Sequence, residues 1–332
     1  MKTINSNEYY IYIGKESLAK FNYSDYSNIA ILVDENTKKY CLPILLENKK
    51  LNNHTLIKIN SGEEHKNIST CNYIWEKLSD NNFDRNSLLI NLGGGVIGDI
   101  GGYCASTYKR GINFIHIPTS LLAMVDASIG GKLGVNFGHL KNHIGLFNDP
   151  RSVLIYPEFL KTLNEQQIKS GFAEIIKHAL ISDSEQWNYL KEKSFEAINW
   201  EEIISNSVKI KNKIVMSDPK EKKERKKLNF GHTYGHALES YFLENKTPIL
   251  HGEAVLAGIL MEIEISNMPN KEKEEIKKYI LTNFILPKIP VKENLKKYLL
   301  HDKKNQKKYI NFSLLNKIGD CTINNLFTID EL

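Results

Sequence analysis

A chain of 332 residues, 41% hydrophobic and 25% charged, has a globular composition: it is long enough for two cores and too apolar for a disordered segment. Its net charge of +5 comes from 44 basic and 39 acidic residues, spread without the aromatic–basic interleaving of a nucleic-acid surface, so a small anionic substrate is expected and no nucleic acid. No apolar run approaches the roughly 20 residues of a membrane span, and the stretch Met-Lys-Thr-Ile-Asn-Ser-Asn is too polar for a signal peptide, so no membrane partner is expected. The four cysteines (Cys41, Cys71, Cys104, Cys321) lack CxxC spacing and read as reduced thiols of a cytoplasmic protein.

In chain order, the first half alternates short β-rich runs with helical ones. Tyr9–Ile13, Ile29–Val33, Thr55–Ile59, Leu88–Leu92 and Phe114–Ile117 read as strands, and Ile68–Leu78 and Val96–Thr107 as helices. Such alternation predicts an α/β domain with a mostly parallel sheet. From about Asn164 the texture turns helical, over Gln166–Leu180, Trp200–Val215, Lys222–Leu243, Glu253–Ser266 and Lys271–Ile280. The expected division is therefore an α/β domain over 1–163 and a helical domain over 164–332.

The strand at 88–92 breaks into Gly93-Gly94-Gly95-Val96-Ile97-Gly98-Asp99. Glycines at a helix start bring backbone N–H groups and the positive helix end to a phosphate. The pattern lies after several strands and lacks a carboxylate about 20 residues later, unlike the usual dinucleotide fingerprint. Ribose contacts would then come from earlier strand ends, such as Asp34 or Glu63. Thr119-Ser120, Gly130-Gly131-Lys132 and Lys141-Asn142 continue the theme of anion handling.

In the second half, Gly231-His232-Thr233-Tyr234-Gly235-His236 sets two imidazoles four residues apart, on one face if helical. His251 opens a later helical run, and Glu174 sits within an apolar helical pattern. Imidazoles and a carboxylate are the ligand types of a catalytic zinc. The charged run 220–227 reads as a solvated helix face, with Arg225 drawing notice because it stands just before Asn229 and His232.

Taken together, SGEEHK (61–66), GGGVIGD (93–99), YKRGI (108–112), PTSLL (118–122), VDASIGGK (125–132), LKNHIG (140–145), SGFAEIIKHALI (170–181), LNFGHTYGHALES (228–240), LHGEAV (250–255) and HDKK (301–304) closely resemble the 3-dehydroquinate synthase family of sugar-phosphate cyclases. The resemblance implies a Rossmann-like NAD-binding N-terminal domain, an all-α C-terminal domain for metal and substrate, and a homodimer. It implies Glu174, His232 and His251 as ligands of zinc or cobalt, and so moves His236 from the metal to the substrate phosphate. His236 is joined there by Lys132, Asn142, Asn229 and, from the neighbouring subunit, Arg110. Lys211 and Arg225 match the pair that holds the substrate carboxylate. Asp126 and Lys177 match polar residues around the reacting hydroxyls, and Lys303 or Lys304 closes the site. The catalytic set is thus Asp126, Lys132, Lys177, Asn229 and His236. For NAD the matching positions are Asp34, Asn36, Glu63, Lys66, Gly94, Gly95, Val96, Asp99, Thr119, Ser120, Asp126, Lys132, Lys141, Phe159, Thr162, Leu163 and Gln167. Leu133, Ser120 and Glu224 depart from the family pattern without removing an anchor. The implied reaction converts 3-deoxy-D-arabino-heptulosonate 7-phosphate to 3-dehydroquinate and phosphate. A cyclase for another sugar phosphate, or a metal-dependent alcohol dehydrogenase, is the alternative.

Overall fold

The computed structural model describes residues 1–138, 140–300 and 309–332. The chain divides into two compact units, Met1–Asn164 and Glu165–Leu332.

Unit 1 is built on strands β1 (Lys2–Ser6), β2 (Tyr9–Ile13) and β3 (Ile29–Val33), helices α1 (Glu35–Tyr40) and α2 (Leu42–Leu45), β4 (Thr55–Lys58), α3 (Ile68–Asp80), β5 (Leu88–Gly93), α4 (Gly95–Thr107), β6 (Asn113–Pro118), β7 (Lys132–Phe137), β8 (Leu140–Phe147) and β9 (Ser152–Ile155). Seven strands form one sheet in the order β1-β2-β9-β6-β5-β3-β4. Every neighbouring pair is parallel except β1 with β2. Ile29-Ala30-Ile31-Leu32-Val33 and all of β5 are buried, as expected of strands covered on both faces. On one face α3 and α4 bring Ile74 and Ile100 into a core shared with Leu32 and Leu89 of the sheet. β3 pairs with β4 on one side and β5 on the other, so the strand order reverses between β3 and β5. Ligands of open parallel sheets lie beyond the carboxyl ends of the strands at such a reversal.

Four of the strands described in unit 1 were not among those expected: β1, β7, β8 and the four-residue β9. β1 shows only Ile4 and Ser6 to the interior, too few apolar positions to announce a strand. β7 and β8 pair antiparallel outside the main sheet, and β8 is largely exposed, so no apolar run marks it. Lys141 and Asn142 therefore lie in a hairpin.

Unit 2 holds α5 (Glu165–Ser182), α6 (Ser184–Glu192), α7 (Trp200–Ser217), α8 (His232–Glu244), α9 (His251–Glu264), α10 (Asn270–Asn283), α11 (Lys292–Leu300), and the antiparallel strands β10 (Ile310–Lys317) and β11 (Asp320–Phe327). The hairpin is an addition to the all-α expectation. Its inner strand Ile310-Asn311-Phe312-Ser313-Leu314-Leu315 is buried throughout, with Ile310, Phe312 and Leu314 packed in a core shared with Tyr234, Leu238, Leu295 and Leu299. α5 is buried on all sides from Ser170 to Ile181, which makes it the central helix of the unit. The helix expected over 222–243 is broken. A short 3₁₀ turn spans Glu224–Asn229, Gly231 takes a left-handed φ of 78°, and α8 starts afresh at His232. Glycine is required there, because a Cβ would lie 2.6 Å from Ile259 Cγ1 and 3.0 Å from the Val255 carbonyl.

Candidate active site

Three helices deliver the charged centre of unit 2. Glu174 comes from the middle of α5, and His232 and His251 are the first residues of α8 and α9. The Nε2 atoms of His232 and His251 lie 3.5 and 3.4 Å from Glu174 Oε1, and the three groups offer ligand atoms within 4.8 Å of one another. The rings are held from behind. His232 Nδ1 stands 3.2 Å from the Phe230 carbonyl, and His251 Nδ1 stands 3.5 Å from Glu239 Oε2. With Nδ1–H donating to Phe230, the lone pair of His232 Nε2 is left for a Lewis acid, the arrangement that orients histidine ligands of metals. This donor set fits a zinc-type cation.

Electrostatics follow from burial. Glu174 is fully buried, and desolvation pushes its carboxyl up, but the adjacent Lys177 ammonium, with His232 and His251, outweighs this and holds it well below the usual carboxylate range. Burial, with Lys177 beside it, pushes His232 well below its ordinary value. Burial acts against the charged His251 ring too, yet Glu239 and Glu174 outweigh it and raise its pKa to about 10. One turn past Lys177's carboxylate partner, His178 Nδ1 lies 2.6 Å from Ser207 Oγ on α7.

The same unit buries two further cations. Arg225 is 1% exposed and Lys211 is 5% exposed. They belong to the 3₁₀ turn Glu224–Asn229 and to α7, two elements that pack on each other. Asp218 organises the turn by accepting from the N–H groups of Lys222, Lys223 and Arg225, and Arg225 Nη1 donates to the Pro219 carbonyl at 2.6 Å. Asn229 Nδ2 donates to Glu221 Oε1 at 2.8 Å. His236, one turn into α8, sets its ring 5.3 Å from that of His232, edge to face.

In unit 1 the candidate cofactor residues gather at the carboxyl ends of four adjacent strands, β4-β3-β5-β6. Asp34, at the end of β3, caps α1 by accepting from Thr37 N at 2.7 Å, with Asn36 in the first turn. After β4, Lys66 is buried and donates at 2.5 Å to both Asp99 Oδ2 and Asn142 Oδ1. Glu63 accepts from Asn136 Nδ2 at 2.9 Å, and Asn136 Oδ1 accepts from the Asn142 N–H at 2.8 Å. After β5 comes the glycine turn. A Cβ on Gly94 would stand 3.4 Å from Ser120 Oγ and one on Gly95 3.5 Å from Ala127 Cβ, ordinary contact distances, so the turn lies against Ser120 after β6 without being crowded. A small recess lined by Asn91, Gly93, Gly94, Gly95, Gly98 and His116 opens there. Bare backbone at the N-terminus of α4 suits the close approach of a phosphate, so the arrangement fits a dinucleotide.

Family models described as 3-dehydroquinate synthase N-terminal and C-terminal match residues 56–170 and 171–305. A 3-dehydroquinate synthase from Parabacteroides distasonis is 40% identical over 316 residues, covering 92% of this chain and 90% of the relative. The chain belongs to the 3-dehydroquinate synthase family. Its fold is shared with solved sugar-phosphate cyclases at lower identity. A 2-deoxy-scyllo-inosose synthase complexed with carbaglucose-6-phosphate, NAD+ and Co2+ superposes with a TM-score of 0.86 at 24% identity, covering 98% of this chain and 96% of that one. A 2-epi-5-epi-valiolone synthase from Streptomyces hygroscopicus with NAD+ and Zn2+ bound gives 0.86 at 24%, covering 100% and 96%.

Within the family frame, the remaining candidates fall as follows. Asp126 lies in the short helical turn Ala123–Ala127. Lys132 opens β7, and Lys141 is exposed on β8. Arg110 is exposed and, with Lys109, takes a positive φ, which lifts the pair off the end of α4. Val96 lies in the first turn of α4. Phe159, Thr162 and Leu163 follow β9, where Thr162 Oγ1 donates to the Phe159 carbonyl, and Gln167 is exposed in the first turn of α5. Lys303 and Lys304 lie outside the described residues. Four groups escaped the sequence reading: Asn136, Glu221, Glu239 and Glu262. Glu262 is fully buried and accepts from the N–H groups of Gly231 at 2.6 Å, Thr233 at 3.1 Å and Tyr234 at 3.3 Å. Its signal was a lone carboxylate inside Ala-Gly-Ile-Leu-Met-Glu-Ile, an otherwise apolar helical run.

Proposed function

We propose that this chain is a 3-dehydroquinate synthase, a phosphorus–oxygen lyase that converts 3-deoxy-D-arabino-heptulosonate 7-phosphate to 3-dehydroquinate and phosphate, the second step of the shikimate pathway towards chorismate. The observation that carries the reading is the gathering of a carboxylate oxygen and two imidazole nitrogens at one point in a unit that also buries Lys211 and Arg225. Zinc or cobalt, when bound, supplies Lewis acidity at a substrate hydroxyl, and NAD supplies a reversible hydride acceptor that is restored each cycle.

The protein's own groups do the rest. Glu174, His232 and His251 would hold the cation. Lys177, paired with Glu174, is assigned to the reacting hydroxyls, and the Asp126 carboxylate to the same task. Lys211 and Arg225 are assigned to the substrate carboxylate; a guanidinium already held by the Pro219 carbonyl, on a backbone that Asp218 anchors, loses little freedom on binding. His236, Lys132, Asn142 and Asn229 are assigned to the phosphate, with Arg110 of a neighbouring subunit in a homodimer. In the cofactor role we place Asp34, Asn36, Glu63, Lys66, Asp99, Thr119, Ser120 and the Gly94-Gly95-Val96 turn, with Lys141, Phe159, Thr162, Leu163 and Gln167 beside them. We assign the enzyme to the cytoplasm, in keeping with four free, buried cysteines.

The test is to incubate the purified chain with NAD, zinc and the heptulosonate phosphate, following phosphate and absorbance at once. Phosphate release without NADH accumulation is expected. Steady NADH formation would favour the alcohol dehydrogenase reading, and release only from a sugar phosphate lacking a carboxylate would favour another cyclase. A cyclase for a neutral sugar phosphate has no use for Lys211 and Arg225.

A further inference from the structure

The metal centre has a third layer, on α9. Gly231 gives α8 no side chain with which to cap its own first turn, and the exposed N–H groups of a helix start need acceptors. Glu262 supplies them from α9, three turns beyond His251. One carboxylate oxygen takes the Gly231 N–H and the other takes those of Thr233 and Tyr234. The Gly231 N–H and the Phe230 carbonyl belong to the same peptide unit, which is planar. Fixing the N–H on Glu262 therefore fixes the carbonyl that faces His232 Nδ1. A negative charge at the N–H end also polarises that peptide and makes its carbonyl a better acceptor.

We propose that Glu262 is a positioning residue of the metal site, acting through the Phe230–Gly231 peptide to orient the His232 ring and make its Nε2 more basic. This rests on the reading of Glu174, His232 and His251 as metal ligands. The side chain is fully buried, and the acceptor contacts it makes to Gly231, Thr233 and Tyr234 end on the turn that carries His232. Replacement by glutamine leaves a single acceptor oxygen and turns an NH₂ group towards at least one of the N–H groups. Replacement by aspartate keeps the charge but withdraws it by one methylene.

The experiment measures Zn2+ affinity of the full chain by competition with a chromophoric chelator, together with the visible spectrum of the Co2+-loaded protein. In Glu262→Gln, affinity should fall about 10- to 100-fold and the Co2+ bands should shift, with Glu262→Asp between it and the unaltered chain. NAD affinity measured without metal should not change. Ile263→Val, at the neighbouring buried position of α9, serves as the packing control and should lower the melting temperature while leaving Zn2+ affinity alone. Zn2+ affinity within twofold of the unaltered chain in Glu262→Gln overturns the proposal, and so does an equal loss in Ile263→Val. Should Glu262→Gln fail to fold, the same criteria apply to Glu262→Asp. Failure of the unaltered chain to bind one Zn2+ removes the metal reading and this inference with it, whereas tight binding that Glu262→Gln retains removes the inference alone.

Discussion

Apart from Lys66, buried against Asp99 in unit 1, the two units handle charge in opposite ways. Unit 1 keeps its candidate site at the rim of a sheet: Gly94, Gly95 and Ser120 present backbone and a hydroxyl, and Asp34, Glu63 and Asn142 reach the surface. Unit 2 sinks Glu174, Lys177, Arg225 and Glu262 into the interior and satisfies each with a partner there. At the rim, a side chain can change without disturbing the core beneath it. In the buried cluster, function and folding draw on the same contacts, because removing one partner strands the other in a low-dielectric interior.

The largest expected effect tests that coupling. Glu174→Ala leaves the Lys177 ammonium buried without its carboxylate, which should cost about 3–5 kcal/mol and abolish zinc binding. Thermal melting and metal per chain measure the two losses, and loss of zinc with an unchanged melting temperature would uncouple them. Unit 1 offers a counterpart in acid. Burial lowers the His116 pKa from 6.5 to about 4, so below pH 6.5 the unfolded chain takes up a proton that the folded one refuses. The stability this neutral ring lends is intact above pH 6.5 and is lost progressively as pH falls towards 4, about 3 kcal/mol in all. Hydrogen exchange of the β6 amides should show the loss in the unaltered chain and a flatter profile in His116→Gln.

A smaller effect separates the glycines of the two units. A Cβ on Gly258 would lie 2.0 Å from the Gly231 carbonyl, so Gly258→Ala must push α9 off the start of α8, at a cost of about 1–3 kcal/mol. Zinc affinity should fall with it. Gly94→Ala meets nothing closer than Ser120 Oγ at 3.4 Å. It should melt with the unaltered chain and lose about tenfold, or about 1.4 kcal/mol, in NAD affinity by fluorescence titration. If Gly94→Ala melted as early as Gly258→Ala, the contrast between rim and interior would fall.

Legibility in the sequence follows the same division. β3 and β5 are apolar runs broken by turn residues, and the glycines after β5 are a local signal, so the sheet and its candidate cofactor edge could be read residue by residue. β1 and β8 could not, because most of their side chains face outward. In unit 2 the ligand types were legible but their partners were not. Four-residue spacing made His232 and His236 look like a pair, and only the break at Gly231 and the fold of α9 bring His251, from the next helix, to His232. Glu221, Glu239 and Glu262 act on groups 8 to 31 residues away in sequence, and no local pattern encodes such a meeting. Arg225 was hidden by its setting, since a run of lysines and glutamates reads as surface until Asp218 gathers its backbone inward.

Lys177 bears on the order in which the protein matures. In small zinc domains the ligands crowd uncompensated charge until the ion arrives, and the polypeptide waits unfolded for it. Here an ammonium on the next turn of α5 already answers the Glu174 carboxylate, so the newly synthesised polypeptide can complete its fold empty and be loaded afterwards. Which divalent ion ends up inside is then set by what the cell has free at that moment, and scarcity of the ion idles the enzyme without destroying it.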